Sequence, residues 1–332
     1  MLNLSQNGCS VWVASATEEL LTPTAVALGK FDGVHLGHQR VIQPVLQSAR
    51  SEENSVRPYS TVVTFDPHPQ EFFTGLPRDL LTPLDEKVAQ LRSLGVEQLV
   101  LLPFDRELSA LSPEKFVDKI LVQQLQCQQI SVGQDFCFGK KRMGTAQDLQ
   151  ILAAKYNIPV TIVPIKTDME NFSAADDTRI STSLIRESLE VGDIQKANRL
   201  LGRPYSLTGI VVTGQKLGRT IGFPTANIQL AKDKFLPRYG VYAIEAIIHN
   251  ETPDNSPTQH FGVMNIGNRP TVNGIDTSVE VHLLNWSGDL YGKNLLVQLV
   301  KFLRPEQKFT SLEALKNQIQ LDCKIAQEIF SC

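Results

Sequence analysis

The chain has 332 residues, more than one hydrophobic core usually serves, so two domains are expected. Hydrophobic residues make up 42% and charged residues 20%, the balance of an ordinary globular protein, and no apolar run approaches the roughly 20 residues of a membrane helix. The net charge of −3 argues against a broad nucleic-acid surface, although small anions can still be held by local donors.

The amino terminus, Met1-Leu2-Asn3-Leu4-Ser5-Gln6, lacks the basic start and apolar core of a signal peptide. Cys9, Cys127, Cys137, Cys323 and Cys332 are scattered, odd in number and without a Cys-x-x-Cys pair. They read as reduced thiols of a cytoplasmic protein, not as a disulfide frame or a zinc site.

In chain order, strand patterns fall at Ala25–Leu28, Ser60–Phe65, Gln98–Leu102, Gln129–Val132 and Val160–Pro164. Helical patterns lie between them, near His38–Arg50, Leu84–Leu94, Ser112–Leu125 and Ala146–Tyr156. Such alternation predicts a parallel sheet with helices on both faces, and a ligand beyond the carboxyl ends of its strands. The densest basic cluster, Lys140-Lys141-Arg142, reads as a solvated loop.

Two short helices, Ser183–Glu190 and Ile194–Leu201, then connect to a different kind of sequence. Leu207–Val212, Gly240–Ile248, His260–Asn265, Ser278–Leu284 and Leu295–Leu303 are short β-rich runs separated by turn residues, and a helical pattern returns only at Ser311–Ile329. The residues 251–257 between two of these runs read as a polar loop. This pattern predicts an antiparallel barrel or sandwich. The change of class falls near residues 190–205, and the division taken is 1–188 and 189–332.

The first chemical signature is Gly29-Lys30-Phe31-Asp32-Gly33-Val34-His35-Leu36-Gly37-His38, which follows the first strand and opens a helix. Backbone N–H groups at such a turn favour an anion, and Gly29, Gly33 and Gly37 admit a phosphate or purine close to the backbone. His35 and His38, three apart, share a face. Thr64-Phe65-Asp66-Pro67-His68-Pro69 and Val132-Gly133-Gln134-Asp135 end two further strands; His68 either reaches the same cleft or is held by backbone, and Asp135 either accepts from a ligand or caps its turn. In Arg179-Ile180-Ser181-Thr182-Ser183-Leu184-Ile185-Arg186, helix capping accounts for the hydroxyls, whereas two arginines at a helix start match phosphate oxygens.

The second signature runs from Gly209 through Gly214, Lys216, Gly218, Arg219 and Gly222 to Pro224-Thr225-Ala226-Asn227. It is no Walker A loop, since no Gly-Lys-Ser/Thr occurs. Thr225 and Asn227 project to one face of an extended segment and offer the hard oxygen donors that Mg²⁺ takes. Glu280, in the β-rich run that follows, is either solvent-facing or placed as a base.

His35-Leu36-Gly37-His38 resembles the signature of the nucleotidyltransferase superfamily, and the longer string resembles the bacterial bifunctional riboflavin kinase/FAD synthetase family. The second signature resembles the riboflavin kinase motif, with Gly262–Thr271, Ser278–His282, Asp289–Gly292 and Leu303–Phe309 similar to the same family. Resemblance therefore implies a nucleotidyltransferase-like Rossmann-type α/β domain at 1–188 with FMN adenylyltransferase activity. It implies an antiparallel β-barrel riboflavin kinase domain with a C-terminal helix at 189–332.

On that resemblance, His35, His38 and Arg186 stabilise phosphate charge in adenylyl transfer, and Glu280 is the kinase base. Gly29, Phe31, Asp32, Gly33, Gly37, Arg179, Thr182 and Ser183, with Gly214, Lys216, Gly218, Arg219 and Gly222, bind nucleotide or phosphate. Asp135 and Arg304 meet the flavin, and Thr225 and Asn227 hold Mg²⁺. The implied partners are riboflavin, FMN and ATP, with no nucleic acid, no membrane and at most weak self-association. The alternative is a single-activity enzyme in which one module survives as a flavin-binding regulatory domain.

Overall fold

A computed structural model describes residues 12–14, 20–49, 57–164, 179–214, 218, 221–248, 258–271 and 274–331. The chain divides into two compact units, Met1–Thr182 and Ser183–Cys332, a boundary in the first turn of a helix and slightly earlier than 188/189.

In the first unit the strands are β1 (Trp12–Ala14), β2 (Thr24–Leu28), β3 (Tyr59–Asp66), β4 (Gln98–Pro103), β5 (Cys127–Gly133), a two-residue pair β6 (Cys137–Phe138) and β7 (Gly144–Thr145), and β8 (Val160–Val163). Six of them form one sheet in the order β1-β4-β3-β2-β5-β8, parallel at every pairing. The chain leaves β2 toward β3 and β4, then returns to place β5 on the other side of β2. That reversal is the switch point at which open α/β sheets bind ligands.

The helices are α1 (Leu36–Ser48), α2 (Pro69–Thr74), α3 (Leu84–Ser93), α4 (Arg106–Ala110), α5 (Pro113–Phe116, continued as a π-helical stretch Val117–Gln124) and α6 (Ala146–Ala154). Alternate strand residues serve opposite faces. Ala25, Ala27, Val62 and Leu99 pack with Ile42 and Val45 of α1 and Leu91 of α3, whereas Val26, Leu28, Val63 and Ile130 pack with Leu121 and Leu149. Burial on both faces is why the strands read as continuous apolar runs.

The second unit opens with α7 (Thr182–Val191) and α8 (Ile194–Leu201), followed by β9 (Ser206–Val212), β10 (Ala226–Leu230), β11 (Gly240–Ile248), β12 (Thr258–Thr271), β13 (Gly274–Leu283), β14 (Asn294–Pro305) and α9 (Leu312–Phe330). The strands close into an antiparallel barrel, β10-β13-β12-β11-β14-β9. Strand β10 is not among the strands predicted above, although its short Ala-Asn-Ile-Gln-Leu run alternates apolar and polar residues as a strand with one buried face does. The expected loop at 251–257 lies outside the described residues.

Cross-strand partners share a face. Val241, Ala243 and Val263 face outward and are covered by Cys323 and Ala326 of α9. Helix α8 packs on β14, where the Asn198 side-chain amide donates to the Leu299 carbonyl (2.8 Å) and its oxygen accepts from the Tyr205 N–H (2.7 Å).

Candidate active sites

The turn after β2 is held in an uncommon backbone shape. Phe31 and Val34 have φ of 48° and 43°, and Gly33 has 88°. A positive φ at a β-branched residue costs of order 1–3 kcal/mol and persists only where its surroundings impose it. Here the Asp32 carboxylate accepts from the Leu81 and Thr82 N–H groups (2.7 and 3.2 Å), and Gly33 N–H donates to Thr82 Oγ1 (2.9 Å). Thr182 Oγ1 donates to the Asp32 carbonyl (3.2 Å). Phe31 and Asp32 are only 1% and 3% exposed. Both side chains thus brace the turn from beneath, and the backbone above them is what the turn presents to its surroundings.

His35 caps α1: its Nδ1 accepts the His38 N–H at 3.2 Å, so a neutral imidazole carries its proton on Nε2 and presents a donor. The two rings are stacked, with centroids 3.6 Å apart and planes at 15°, and the Phe31 ring is tilted against His38 with centroids 5.2 Å apart. A Cβ at Gly37 would come within 3.0 Å of the His35 ring, so glycine there lets the ring lie on the backbone. Burial, then the neighbouring His35 and Lys87, hold the His38 pKa well below its ordinary value. His38 Nδ1 is buried without a hydrogen-bond partner among the described residues.

Cations crowd this end of the sheet. Burial, Arg142 and Arg78 depress Lys30, and burial with Lys30, Arg78 and Lys87 depresses His68 to about 4. His68 is held by backbone, its Nδ1 accepting from the Gln70 N–H that opens α2. The basic triplet is exposed, as its sequence suggests, and Arg142 is also within electrostatic reach of Lys30. Arg78, Lys87 and Arg142 carry no motif, because they come from three separate elements that only the fold assembles. Asp135, beyond β5, pairs with Arg179 at the surface. Beyond β3 and β4, Phe65, Phe72, Phe73 and Phe104 form a partly exposed aromatic cluster with centroids 5.2–5.8 Å apart. Ser183 and Arg186 belong to the second unit, where the Arg186 guanidinium lies over the Phe235 ring at 4.6 Å.

On the barrel, register assembles the second site. Asn227 of β10 stands opposite Glu280 of β13, and Asn265 of β12 stands opposite Glu280 on its other side. The row continues through Val241 to Arg304, so Asn227, Glu280 and Asn265 lie on the outer face that α9 partly covers. Thr225, one residue before β10, donates from Oγ1 to Glu280 Oε2 at 3.3 Å. A hydroxyl, an amide and a carboxylate therefore converge, with Asn265 beside them inside a motif but unmarked by it.

The glycine-rich segment abuts this group. A Cβ at Gly214 would fall 2.1 Å from Asn227 Nδ2, and one at Gly218 would fall 3.3 Å from Thr225 Oγ1. Gly222, with φ of 90°, turns the chain between them in open space. Lys216 and Arg219 lie outside the described residues. The guanidinium fork of Arg304 grips the buried Asp322 of α9 (2.8–3.1 Å), an ion pair that pins the helix to the barrel, and Gln318 also donates to Asp322 (2.9 Å). Nothing in the local sequence of Arg304 marks a partner 18 residues away on another element.

An anion-directed turn at the switch point of a parallel sheet, and a separate cluster of oxygen donors beside a glycine-rich loop on a barrel, define a two-unit transferase of phosphoryl and nucleotidyl groups. A family model described as FAD synthetase matches residues 17–176, and one described as riboflavin kinase matches residues 201–330. The chain is 38% identical over 312 residues to the bifunctional riboflavin kinase/FMN adenylyltransferase of Listeria monocytogenes, covering 92% of each. It is 39% identical over 306 residues to the protein of the same description from Escherichia coli K12, again covering 92% of each. A solved structure described as a macrolide-efflux protein from Streptococcus pneumoniae superposes with a TM-score of 0.80 at 27% identity, covering 96% of this chain and 98% of that one. The chain belongs to the bifunctional riboflavin kinase/FMN adenylyltransferase family. It phosphorylates riboflavin to FMN and transfers the adenylyl group of ATP to FMN, giving FAD.

Proposed function

We propose that the two reactions use the residues as follows, with the border between the domains 1–188 and 189–332 falling within α7. In the second domain Glu280 accepts the proton of the ribityl hydroxyl as its oxygen bonds to the γ-phosphorus of ATP, and ADP leaves. General-base help of this kind contributes ~10²–10⁴-fold. The observation that carries the assignment is the approach of Thr225 Oγ1 to Glu280 Oε2 opposite Asn227. Their donor set fits Mg²⁺, which takes one or two protein oxygens beside phosphates and water. Thr225 and Asn227 would hold that ion, whose part is to neutralise phosphate charge. Gly214, Gly218 and Gly222, together with Lys216 and Arg219, meet the nucleotide.

In the first domain an FMN phosphate oxygen bonds to the α-phosphorus of ATP, the bond to the β-phosphate breaks, and pyrophosphate leaves. No covalent enzyme intermediate is needed, so positioning and charge stabilisation do the work. His35 offers its Nε2 proton, His38 stacks behind it, and Lys30, Arg78, Lys87 and Arg142 supply a positive field. Gly29, Gly33 and Gly37 keep the backbone approachable, Arg179 and Thr182 meet phosphates, and Asp135 meets the flavin.

The protein works in the cytoplasm on riboflavin, FMN and ATP, without nucleic acid or membrane, and self-associates weakly at most. No helix among the described residues is long and apolar enough to cross a membrane. Efflux is not carried over, because both family models name flavin chemistry. The test is incubation of purified His38→Ala with riboflavin, ATP and Mg²⁺, with flavins separated by chromatography. FMN accumulates and FAD does not; equal loss of both products in folded protein would refute the division of labour.

A further inference from the structure

Thr225 is poorly fixed by its own hydrogen bond. At 3.3 Å the contact with Glu280 is long for a hydroxyl donor, which ordinarily approaches to about 2.7–2.8 Å. The ladder does not fix it either. Pairing of β10 with β13 runs through Asn227 opposite Glu280 and Ala226 opposite Val281, and it stops there. Pro224, immediately before Thr225, has no N–H with which to extend it. Yet Thr225 must present its hydroxyl beside Glu280 and Asn227.

We propose that His282 is a positioning residue for riboflavin phosphorylation, holding the Pro224 carbonyl and through it the placement of Thr225. The proposal rests on the reading of Thr225 and Glu280 as kinase residues. His282 follows Glu280 by two on β13, so both side chains lie on the outer face. Its Nδ1 is 2.9 Å from the Pro224 oxygen. A carbonyl can only accept, so Nδ1 carries the proton and donates. The same ring meets Phe223 edge-on, with centroids 5.4 Å apart at 77°. Phe223 in turn packs against the cluster under α9, and its N–H donates to the Gly218 carbonyl at 2.8 Å. One imidazole thus secures both residues ahead of Thr225 at the point where backbone pairing ends. Glu280 and Asn227, held by their own ladders, do not depend on it.

The test compares full-length His282→Ala and His282→Asn with wild type and Thr225→Ala. Asparagine places an amide N–H near the position of Nδ1, so it retains the bond to Pro224. In metal-free, ligand-free protein, amide hydrogen exchange over residues 223–227 is faster in His282→Ala and returns to the wild-type rate in His282→Asn. Riboflavin turnover falls ~10-fold in His282→Ala with KM little changed, as a misplaced catalytic group predicts, and FMN adenylylation is unaffected. His282→Asn recovers most of the turnover. Unchanged exchange and turnover in His282→Ala, or a folded His282→Asn that is impaired, overturns the proposal. If His282→Ala does not fold, His282→Asn decides alone. Normal kinase activity in Thr225→Ala refutes instead the reading of Thr225 on which the proposal rests, a result that the exchange data identify separately.

Discussion

Gly214→Ala adds one methyl group and removes nothing, which makes it a clean probe of the barrel site. Gly214 is not among the glycines with positive φ, so alanine meets no backbone strain there. The new Cβ would stand 2.1 Å from Asn227 Nδ2 and 2.6 Å from its Cγ. Relief to the 3.4 Å of ordinary contact requires a movement of about 1.3 Å. The Asn227 backbone cannot supply it, since ladders to Val212 and Glu280 hold it on both sides. The side chain must swing instead, changing where its amide stands opposite Glu280. A displacement of about 1 Å costs ~10²-fold in rate when it misplaces a reacting constellation. Initial rates of FMN formation at saturating riboflavin and ATP should fall by that order, with adenylylation of supplied FMN unchanged. Wild-type turnover in folded Gly214→Ala would refute the claim that the Asn227 amide serves the kinase reaction.

Glu280→Gln keeps the shape of the side chain but removes the base, so riboflavin turnover should drop ~10²-fold or more while riboflavin binding, followed by fluorescence, changes little. A fragment of residues 183–332 should melt at a higher temperature than one starting at Gly202, because Asn198 of α8 bonds both Leu299 and Tyr205 and would be lost from the shorter piece; equal melting would contradict that packing. His68 is depressed to about 4 in the folded chain, so between about pH 4 and its unfolded value of about 6.5 the unfolded chain binds the extra proton. Stability linked to this group is therefore complete above that window and lost as the pH falls through it, and His68→Asn, which keeps the cap on Gln70, should melt with a shallower pH dependence across it.

The elements of the first unit were readable because their signals are local. A buried parallel strand is a continuous apolar run, and Ala25–Leu28 needs no partner to be recognised as one. The same holds for the turn after it, where Gly33 answers to its own backbone conformation and Gly37 to the His35 ring two residues before it. Strand β10 carries a local signal too, Ala226, Ile228 and Leu230 alternating with Asn227 and Gln229, but five residues after a glycine-rich segment are too few to separate a strand from an extended loop. Phe31 and Asp32 look like ligand-facing members of a motif. They are buried because the backbone folds over them toward Thr82, a neighbour that sequence distance hides.

Sequence alone determined the two fold classes, their order along the chain and the two glycine-rich turns, all properties of periodicity and of residues within a few positions of each other. Tertiary structure decided which side chains meet. Arg78, Lys87 and Arg142 converge because β2 is central and the segments bearing them end beside it. Asn265 joins Asn227 and Glu280 through antiparallel register, and Arg304 turns to Asp322 because α9 lies on the barrel. Each of these depends on how separate elements are placed, and a side chain's partner across such a gap leaves no trace in its own neighbourhood of the sequence.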